Sequence, residues 1–302
     1  MSNLDWQPPS AALAALSDHP EKVDHTGGLF FGGLTELRPL QFQYYHLGLL
    51  QGSEPRLSLI VTNPGSEEAL LHLRTGVGKP SLDYFSTGHG NNLEWFRTGL
   101  QSRGEFFHLA PGAAAEVFTQ ELPYDHVVSG TLGLTLVSGP ALQFALVARS
   151  SAAQRLPLNN LLKEGDVHSR GFYPAPYQSI ERNFRWGDPE LNIAVGAVRQ
   201  QTFSGVKELR GDYGVVYQAQ VHLVNPTDRE RTFQLSFNPR GGAATATFLV
   251  NDKVVEVAKT EAFEKRAFYT VKVPPQSQDS LELKTVPEGA SSYPVRIVVE
   301  GR

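Results

Sequence analysis

From Val215 to Leu223 the chain alternates. Val215, Tyr217, Ala219, Val221 and Leu223 fall on one parity, and Gln218, Gln220 and His222 lie between them. Period-two alternation predicts a strand with one buried and one wet face. Asn225-Pro226-Thr227-Asp228 stops the pattern, because proline cannot donate to a ladder and Asn and Asp favour turns. It resumes at Phe233, Leu235 and Phe237, which predicts a hairpin or a closely related strand pair. Residues 247–250 and 254–257, separated by Asn251-Asp252-Lys253, predict a second hairpin. Further strands are expected over 267–273, 281–283 and 295–299. Short strands punctuated by turns point to an antiparallel sandwich.

The first half follows the same plan. Residues 57–62, Asn63-Pro64-Gly65 and the strand around Leu71 and Leu73 stand beside residues 219–224, Asn225-Pro226-Thr227 and the strand around Phe233 and Leu235. A second landmark, Pro111-Gly112 against Pro274-Pro275, falls 48 residues after Asn63 and 49 after Asn225. A third, Pro140 against Pro294, opens a closing apolar strand 77 and 69 residues after the Asn. One sandwich unit used twice accounts for all three.

A strand, an Asn-Pro turn carrying acidic residues, a second strand and a later Pro-Gly or Pro-Pro shelf resemble bacterial immunoglobulin-like modules of the cell-adhesion-related type. The resemblance covers residues 57–111 and 219–275. It implies an all-β chain of two tandem immunoglobulin-like sandwiches in a spacer or binding role outside the membrane. It carries no site residues, because such modules share a core pattern rather than a site.

The expected organisation is an N-terminal segment (1–24), a first sandwich (25–150), a linker (151–167) and a second sandwich (168–302). Short helices are expected at the N-terminus, in the apolar run of residues 11–16, and in the linker, over 157–165 before Gly165. The chain has 302 residues, enough for two cores, and a net charge of −4. Neither its balance of 27 basic and 31 acidic residues nor its 19% charged fraction suggests nucleic acid or disorder. Residues 1–150 hold 8 basic and 14 acidic side chains, and 151–302 hold 19 and 17, a weak bias toward head-to-tail attraction. The absence of cysteine excludes disulfides, thiolate metal sites and cysteine nucleophiles. With a single Met, it leaves few oxidation liabilities, which suits an exposed extracytoplasmic protein, although a thermophile's cytoplasmic protein shows the same counts. No signal peptide and no membrane insertion are expected.

Candidate chemistry is sparse, so no catalytic residue, metal ligand or cofactor is expected. Gly76-Val77-Gly78-Lys79-Pro80-Ser81 superficially resembles a phosphate loop, but Leu73 replaces the first glycine and Pro80 the helix-starting hydroxyl residue. The nine histidines lack the local spacing of a metal clamp, although a site gathered from His46, His89 and His126 stays open. Arg210-Gly211-Asp212 is an adhesion tripeptide in other settings and here more naturally a tight turn.

Two aromatic-rich stretches remain as candidate surfaces. Residues 83–96 are expected to form a long Gly/Asn-rich loop. In it Tyr84 and Trp95 would offer flat faces to a glycan, with His89, Asn91 and Asn92 as polar partners. The competing expectation is that Trp95-Phe96 opens a strand and plugs the core. Residues 168–186, with Phe172, Tyr173, Tyr177 and Trp186, are expected to lie across the domain junction or to meet a protein partner or second copy. The expected function is a non-catalytic structural or interaction protein, with a carbohydrate-binding pair as the alternative.

Overall fold

The computed structural model describes residues 13–36, 38–155, 159–173, 175–200 and 208–302. Among them it places twenty strands and a single helix. The chain divides into two units. The first gathers the described residues of Met1–Pro176 and Gln201–Leu209, and the second those of Tyr177–Gln200 and Arg210–Arg302.

Unit 1 contains, in chain order, β1 (Leu13–Ser17), β2 (Lys22–Val23), β3 (Gly27–Leu34), β4 (Leu40–Gly48), β5 (Arg56–Thr62) and β6 (Ala69–Val77). The helix α1 (Tyr84–Leu100) follows, then β7 (Glu105–Leu109), β8 (Ala114–Glu121), β9 (Val127–Ser138), β10 (Leu142–Arg149) and β11 (Arg170–Tyr173). A seven-stranded sheet runs β11-β1-β4-β9-β6-β7, with β2 also paired to β4, and a four-stranded sheet runs β3-β10-β5-β8. The alternate residues that both sheets bury meet in one core. Phe42, Leu71, Leu132 and Leu134 come from the larger sheet, and Phe30, Leu59, Val61 and Phe144 from the smaller. Phe30 stacks on Phe144 at 5.9 Å and tilts against Phe42 at 4.9 Å.

Unit 2 contains β12 (Tyr177–Arg185), β13 (Leu191–Val195), β14 (Val216–Asn225), β15 (Arg231–Pro239), β16 (Ala244–Val250), β17 (Lys253–Thr260), β18 (Arg266–Val273), β19 (Ser277–Thr285) and β20 (Val295–Gly301). Its sheets run β12-β14-β19-β16-β17 and β13-β20-β15-β18. The alternation read at 215–223 is realised. Tyr217, Ala219, Val221 and Leu223 are buried, and Gln218, Gln220 and His222 are partly exposed. The Asn251-Asp252 turn joins β16 to β17, and both residues take the left-handed φ (45° and 62°) that a tight hairpin requires.

The expected pairing across the Asn-Pro turns is corrected. β14 and β15 lie in different sheets, as do β5 and β6. Each Asn-Pro turn therefore carries the chain from one sheet to the other. The side chain of the Asn makes the corner. Asn63 Nδ2 donates to the carbonyls of Glu67 (2.8 Å) and Leu109 (2.8 Å), and its Oδ1 accepts from Gly65 N–H (3.0 Å). Asn225 Nδ2 donates to the carbonyls of Arg229 (2.8 Å), Val273 (2.9 Å) and Pro274 (2.8 Å), and its Oδ1 accepts from Thr227 N–H (3.0 Å). Pro cannot follow into a ladder, so the Asn amide takes over the pairing that a strand would supply.

The strand order around these corners is the same in both units. β4-β9-β6-β7 and β13-β20-β15-β18 are antiparallel throughout, and β5·β8 corresponds to β14·β19. Between the equivalent strands β6 and β15 and their partners β7 and β18, one unit carries α1 and the other the β16–β17 hairpin. The Pro140 and Pro294 landmarks do not correspond. β10 pairs with β5 in the smaller sheet of unit 1, whereas β20 occupies the place of β9.

Three further expectations are corrected. Residues 13–16 of the N-terminal apolar run belong to β1, which pairs in parallel with β4, so the part of the segment 1–24 that is described is integral to unit 1. The rest of that run lies outside the described residues. In the linker, the described part of 157–165 is not a helix. Asn160 bridges Gly28, and Leu161 N–H donates to the Gly28 carbonyl, so this stretch runs extended beside β3. Finally, β11 lies beyond the expected boundary at 167/168 yet pairs with β1, because its Phe172 belongs to the apolar core of unit 1.

Candidate functional site

The stretch expected to form the glycan-binding loop is α1. Asp83 caps it, its carboxylate accepting from Phe85 N–H at 3.1 Å. Gly88, Gly90, Asn91, Asn92 and Gly99 give the segment poor intrinsic helix propensity. What selects the helix is its seat. Thr87, Gly88, Asn91, Asn92, Trp95, Phe96 and Gly99 are buried at three- to four-residue spacing against β6 and β9. Gly76 of β6 and Gly78, just beyond its end, make the approach close enough. A Cβ at Gly76 would sit 2.5 Å from Trp95 Cα, and one at Gly78 would sit 2.0 Å from the Thr87 carbonyl oxygen.

This geometry removes the aromatic platform. Tyr84 is 49% exposed at the first turn, while Trp95 is 2% exposed three turns on, about 16 Å along the axis. Asn91 and Asn92 are buried and His89 is half-buried. Trp95 does plug the structure, as the competing expectation held, but from a helix and on the outer face of the seven-stranded sheet.

That outer face is the most chemically unusual surface of unit 1. Register places Gly171, Leu16, Gln43, Thr131 and Gly76 in one row across β11, β1, β4, β9 and β6. Two residues along, Gln41 lies opposite Gly133, and in the other direction Tyr45 lies opposite Ser129. Leu16 apart, the face is built from small and amide- or hydroxyl-bearing residues, and most of it is buried, with Tyr45 and Gly133 half-buried. α1 closes on its β6–β9 part through polar contacts. Asn91 Nδ2 donates to Ser129 Oγ (3.2 Å), and the Thr87 hydroxyl donates to the Lys79 carbonyl (3.0 Å). The Arg74 guanidinium lies 3.4 Å over the Trp95 ring and donates to the Trp95 carbonyl.

Among the described residues of this face and of α1, Gln43 Nε2 and Oε1, Thr131 Oγ1, Asn91 Oδ1, Trp95 Nε1 and Glu94 Oε2 are buried with no hydrogen-bond partner. Gln43 is only 1% exposed. An unsatisfied buried polar group costs about 1–3 kcal/mol.

The second aromatic stretch separates between the units. Phe172 meets Phe30 edge-on at 5.1 Å in the core of unit 1, and Tyr173 is buried on the opposite side of β11. In unit 2, Tyr177 is half-buried at the start of β12. Trp186 meets Phe233 edge-on at 5.6 Å, with Arg231 4.6 Å over its ring. Phe172 thus packs into the core of unit 1, and Trp186, just after β12, packs on Phe233 of unit 2.

Other chemistry-bearing side chains serve the fold. His46 is fully buried. Its Nδ1–H donates to the Pro20 carbonyl (2.9 Å), which leaves Nε2 to accept from the Ser17 hydroxyl (3.1 Å). Burial, with a smaller push from Arg170, lowers its pKa to about 4, against the Pro20 hydrogen bond and Asp166, so the ring is neutral. Burial raises the Asp18 pKa well above the usual range, reinforced by Glu21 and Asp166. Asp212 of the Arg-Gly-Asp turn is buried and accepts from the Tyr217 hydroxyl, and Gly211 and Asp212 take the positive φ of the expected turn. Glu288 accepts from Thr245 Oγ1 (2.5 Å) and Thr247 Oγ1 (2.8 Å). Among the described residues no three His, Cys, Asp or Glu side chains come together as metal ligands. No helix of the described residues is long and apolar enough to cross a membrane.

No family model matches the chain, and no curated protein does. Among solved structures, a conserved protein of unknown function from Pseudomonas aeruginosa PAO1 is similar at 10% identity, over 90% of this chain and 79% of that one, with a TM-score of 0.16. The PBSX exported protein XepA is similar at 9% identity over 92% and 86%, with a TM-score of 0.20. The N-terminal CBM22-1–CBM22-2 tandem domain of Paenibacillus barcinonensis Xyn10C is similar at 9% identity over 84% and 73%, with a TM-score of 0.16. Likenesses this distant carry no argument about fold or function.

Proposed function

We propose that the chain is a non-catalytic structural or interaction protein, made of two duplicated β-sandwich modules of immunoglobulin-like type. It acts in a surface or multi-subunit assembly through a protein partner or a second copy of itself. The observation that carries this reading is the repeated corner. The same Asn amide holds the same crossing between sheets in both units, within the same strand order. Chemistry-bearing side chains support it: His46, Asp212 and Glu288 are spent on buried structural bonds, as a load-bearing or spacing module requires. The reading calls for no cofactor, and a chain with no cysteine and one methionine carries few oxidation liabilities, which suits an extracytoplasmic or cell-envelope setting. The glycan-binding alternative on Tyr84 and Trp95 loses its support with the burial of Trp95.

Size-exclusion chromatography with light scattering over a wide concentration range tests the proposal. Self-association, or a stable stoichiometric complex with a protein purified alongside it, is the expected result. A strict monomer that retains no partner overturns the assembly role, and turnover by the purified chain in a hydrolase screen overturns the non-catalytic one.

A further inference from the structure

We propose that residues 159–169 form a pH-governed strap: a protonated Asp18 lets it close over the edge of β3, and loss of that proton as pH rises loosens it. The proposal concerns unit 1 alone and does not rest on the assembly role above.

β3 is an end strand of the four-stranded sheet, and the strap runs along it. Gly28 N–H donates to the Asn159 carbonyl (2.7 Å), Leu161 N–H to the Gly28 carbonyl (2.9 Å) and Asn159 Nδ2 to the Thr26 carbonyl (3.2 Å). An end strand offers its backbone groups to other chains, and the strap withholds those of Gly28. Arg170, in β11, ties the same stretch back, donating to the Leu29 and Leu161 carbonyls and to Asn160 Oδ1. Between these ends the strap buries little apolar surface, with Leu162 56% and Val167 74% exposed. Its middle is held instead by polar contacts to residues 18–21, the turn between β1 and β2.

That meeting gathers ionisable groups. Asp166 accepts from Glu21 N–H (2.9 Å) and His168 N–H (2.9 Å) and lies 2.6 Å from His168 Nδ1. His168 Nε2 is 3.8 Å from Glu21 Oε2. His19 Nε2 accepts from Lys163 N–H (3.2 Å), which puts the ring proton on Nδ1, 3.9 Å from Asp166 Oδ1. Lys163 Nζ sits on Asp24 (3.2 Å). His46 of β4 holds the Pro20 carbonyl of the turn and is neutral above about pH 4.

Asp18 is the odd member. Its N–H donates to the Ser169 carbonyl (3.1 Å), so the strap passes directly beside it, and among the described residues its buried Oδ1 has no hydrogen-bond partner. An ionised Asp18 would be a third carboxylate beside Asp166 and Glu21, with no donor on that oxygen. A neutral one is tolerated. Burial first, then Glu21 and Asp166, accordingly push its pKa well up. Lifting the strap gives this carboxyl water and takes Asp166 away. Opening therefore releases a proton, and it becomes easier as pH rises from the ordinary carboxyl value of 3.8 toward the raised one.

Hydrogen exchange of the full chain between about pH 4 and 8, corrected for the intrinsic rate, tests this at the amides of Leu161, Lys163, Asp166 and His168. Their opening constant is expected to rise by up to about ten-fold per pH unit, the effect of one proton released on opening. In Asp18→Asn, a neutral near-isostere, the rise should flatten and the strap stay shut across the range. Glu21→Gln removes a neighbouring negative charge, so there the rise should end at a lower pH, a second reading that holds if Asp18→Asn does not fold. The proposal is overturned if opening in the native chain does not change with pH, if it rises as steeply in folded Asp18→Asn, or if Glu21→Gln leaves the end of the rise where it was.

Discussion

Asn63 follows β5 and Asn225 ends β14, each with proline next, and each amide donates to carbonyls across the corner. Alanine at either position leaves two or three buried carbonyls unpaired. The expected loss is about 2–3 kcal/mol of unfolding free energy, from two to three neutral bonds at roughly 1 kcal/mol each. Asparagine to aspartate should be no milder, since a carboxylate cannot donate. Denaturant titration of Asn63→Ala and Asn225→Ala checks this, and a loss below about 0.5 kcal/mol in either would show that the corner is held by something else. His46 sets a pH dependence. Its native pKa of about 4 lies below the unfolded value of 6.5, so the unfolded chain binds the proton first, and stability is lost as pH falls from 6.5 toward 4. The full effect is about 3 kcal/mol. Asp18 acts in the opposite sense: its raised native pKa adds stability under acid and loses it as pH rises through that value. His46→Gln should therefore flatten the acid loss and Asp18→Asn should steepen it, measured as unfolding midpoints between pH 4 and 7.

At the scale of elements, α1 is the piece whose form depends on its neighbour. Gly76→Val would push a side chain into the Trp95 backbone, and a segment holding Gly88, Gly90, Asn91 and Asn92 has little helicity of its own to fall back on. The variant should lose the helical part of the far-ultraviolet signal and expose Trp95, shifting its emission to longer wavelength, while strand content persists. Unchanged helicity would mean that α1 is stable without its seat. This dependence also explains what the sequence showed and what it hid. β14, β16 and β17 were legible because strand burial writes itself as period two, and because Asn251-Asp252 announces its own turn. α1 was not, because its buried stripe is Thr, Gly and Asn rather than aliphatic, so the helical period carried no hydrophobic signal. Asp83 was its only readable cap. Leu13–Ser17 was misread for the converse reason, since Ala and Leu suit helices and only the parallel partner β4 makes them a strand. The buried polar row could not be read at all, because Gln43, Thr131 and Gly76 are neighbours only through strand register.

At the scale of the whole molecule, the question is whether the shared strand order reflects one architecture used twice or only two β units that happen to turn alike. The two Asn-Pro landmarks lie at equivalent corners, while the Pro140 and Pro294 landmarks lie at strands that do not correspond. Spacing therefore found the repeat at its corners but overextended it at its close. Hydrogen exchange separates the possibilities, because protection follows a strand's place in its sheet rather than its sequence. In unit 1, β9 and β6 are flanked on both sides, and so are β20 and β15 in unit 2, whereas β7 and β18 are edges. If one architecture governs both units, the slowest amides of each should fall in these equivalent inner strands, with β7 and β18 exchanging earlier. The insertions should differ. α1 is expected to exchange faster than the body of unit 1, because its glycines and asparagines give it little helix propensity of its own, while β16, paired on both sides by β17 and β19, should exchange with the body of unit 2. Slowest exchange concentrated in β10 or β12, which flank β5 and β14 in opposite senses, would break the correspondence between the units.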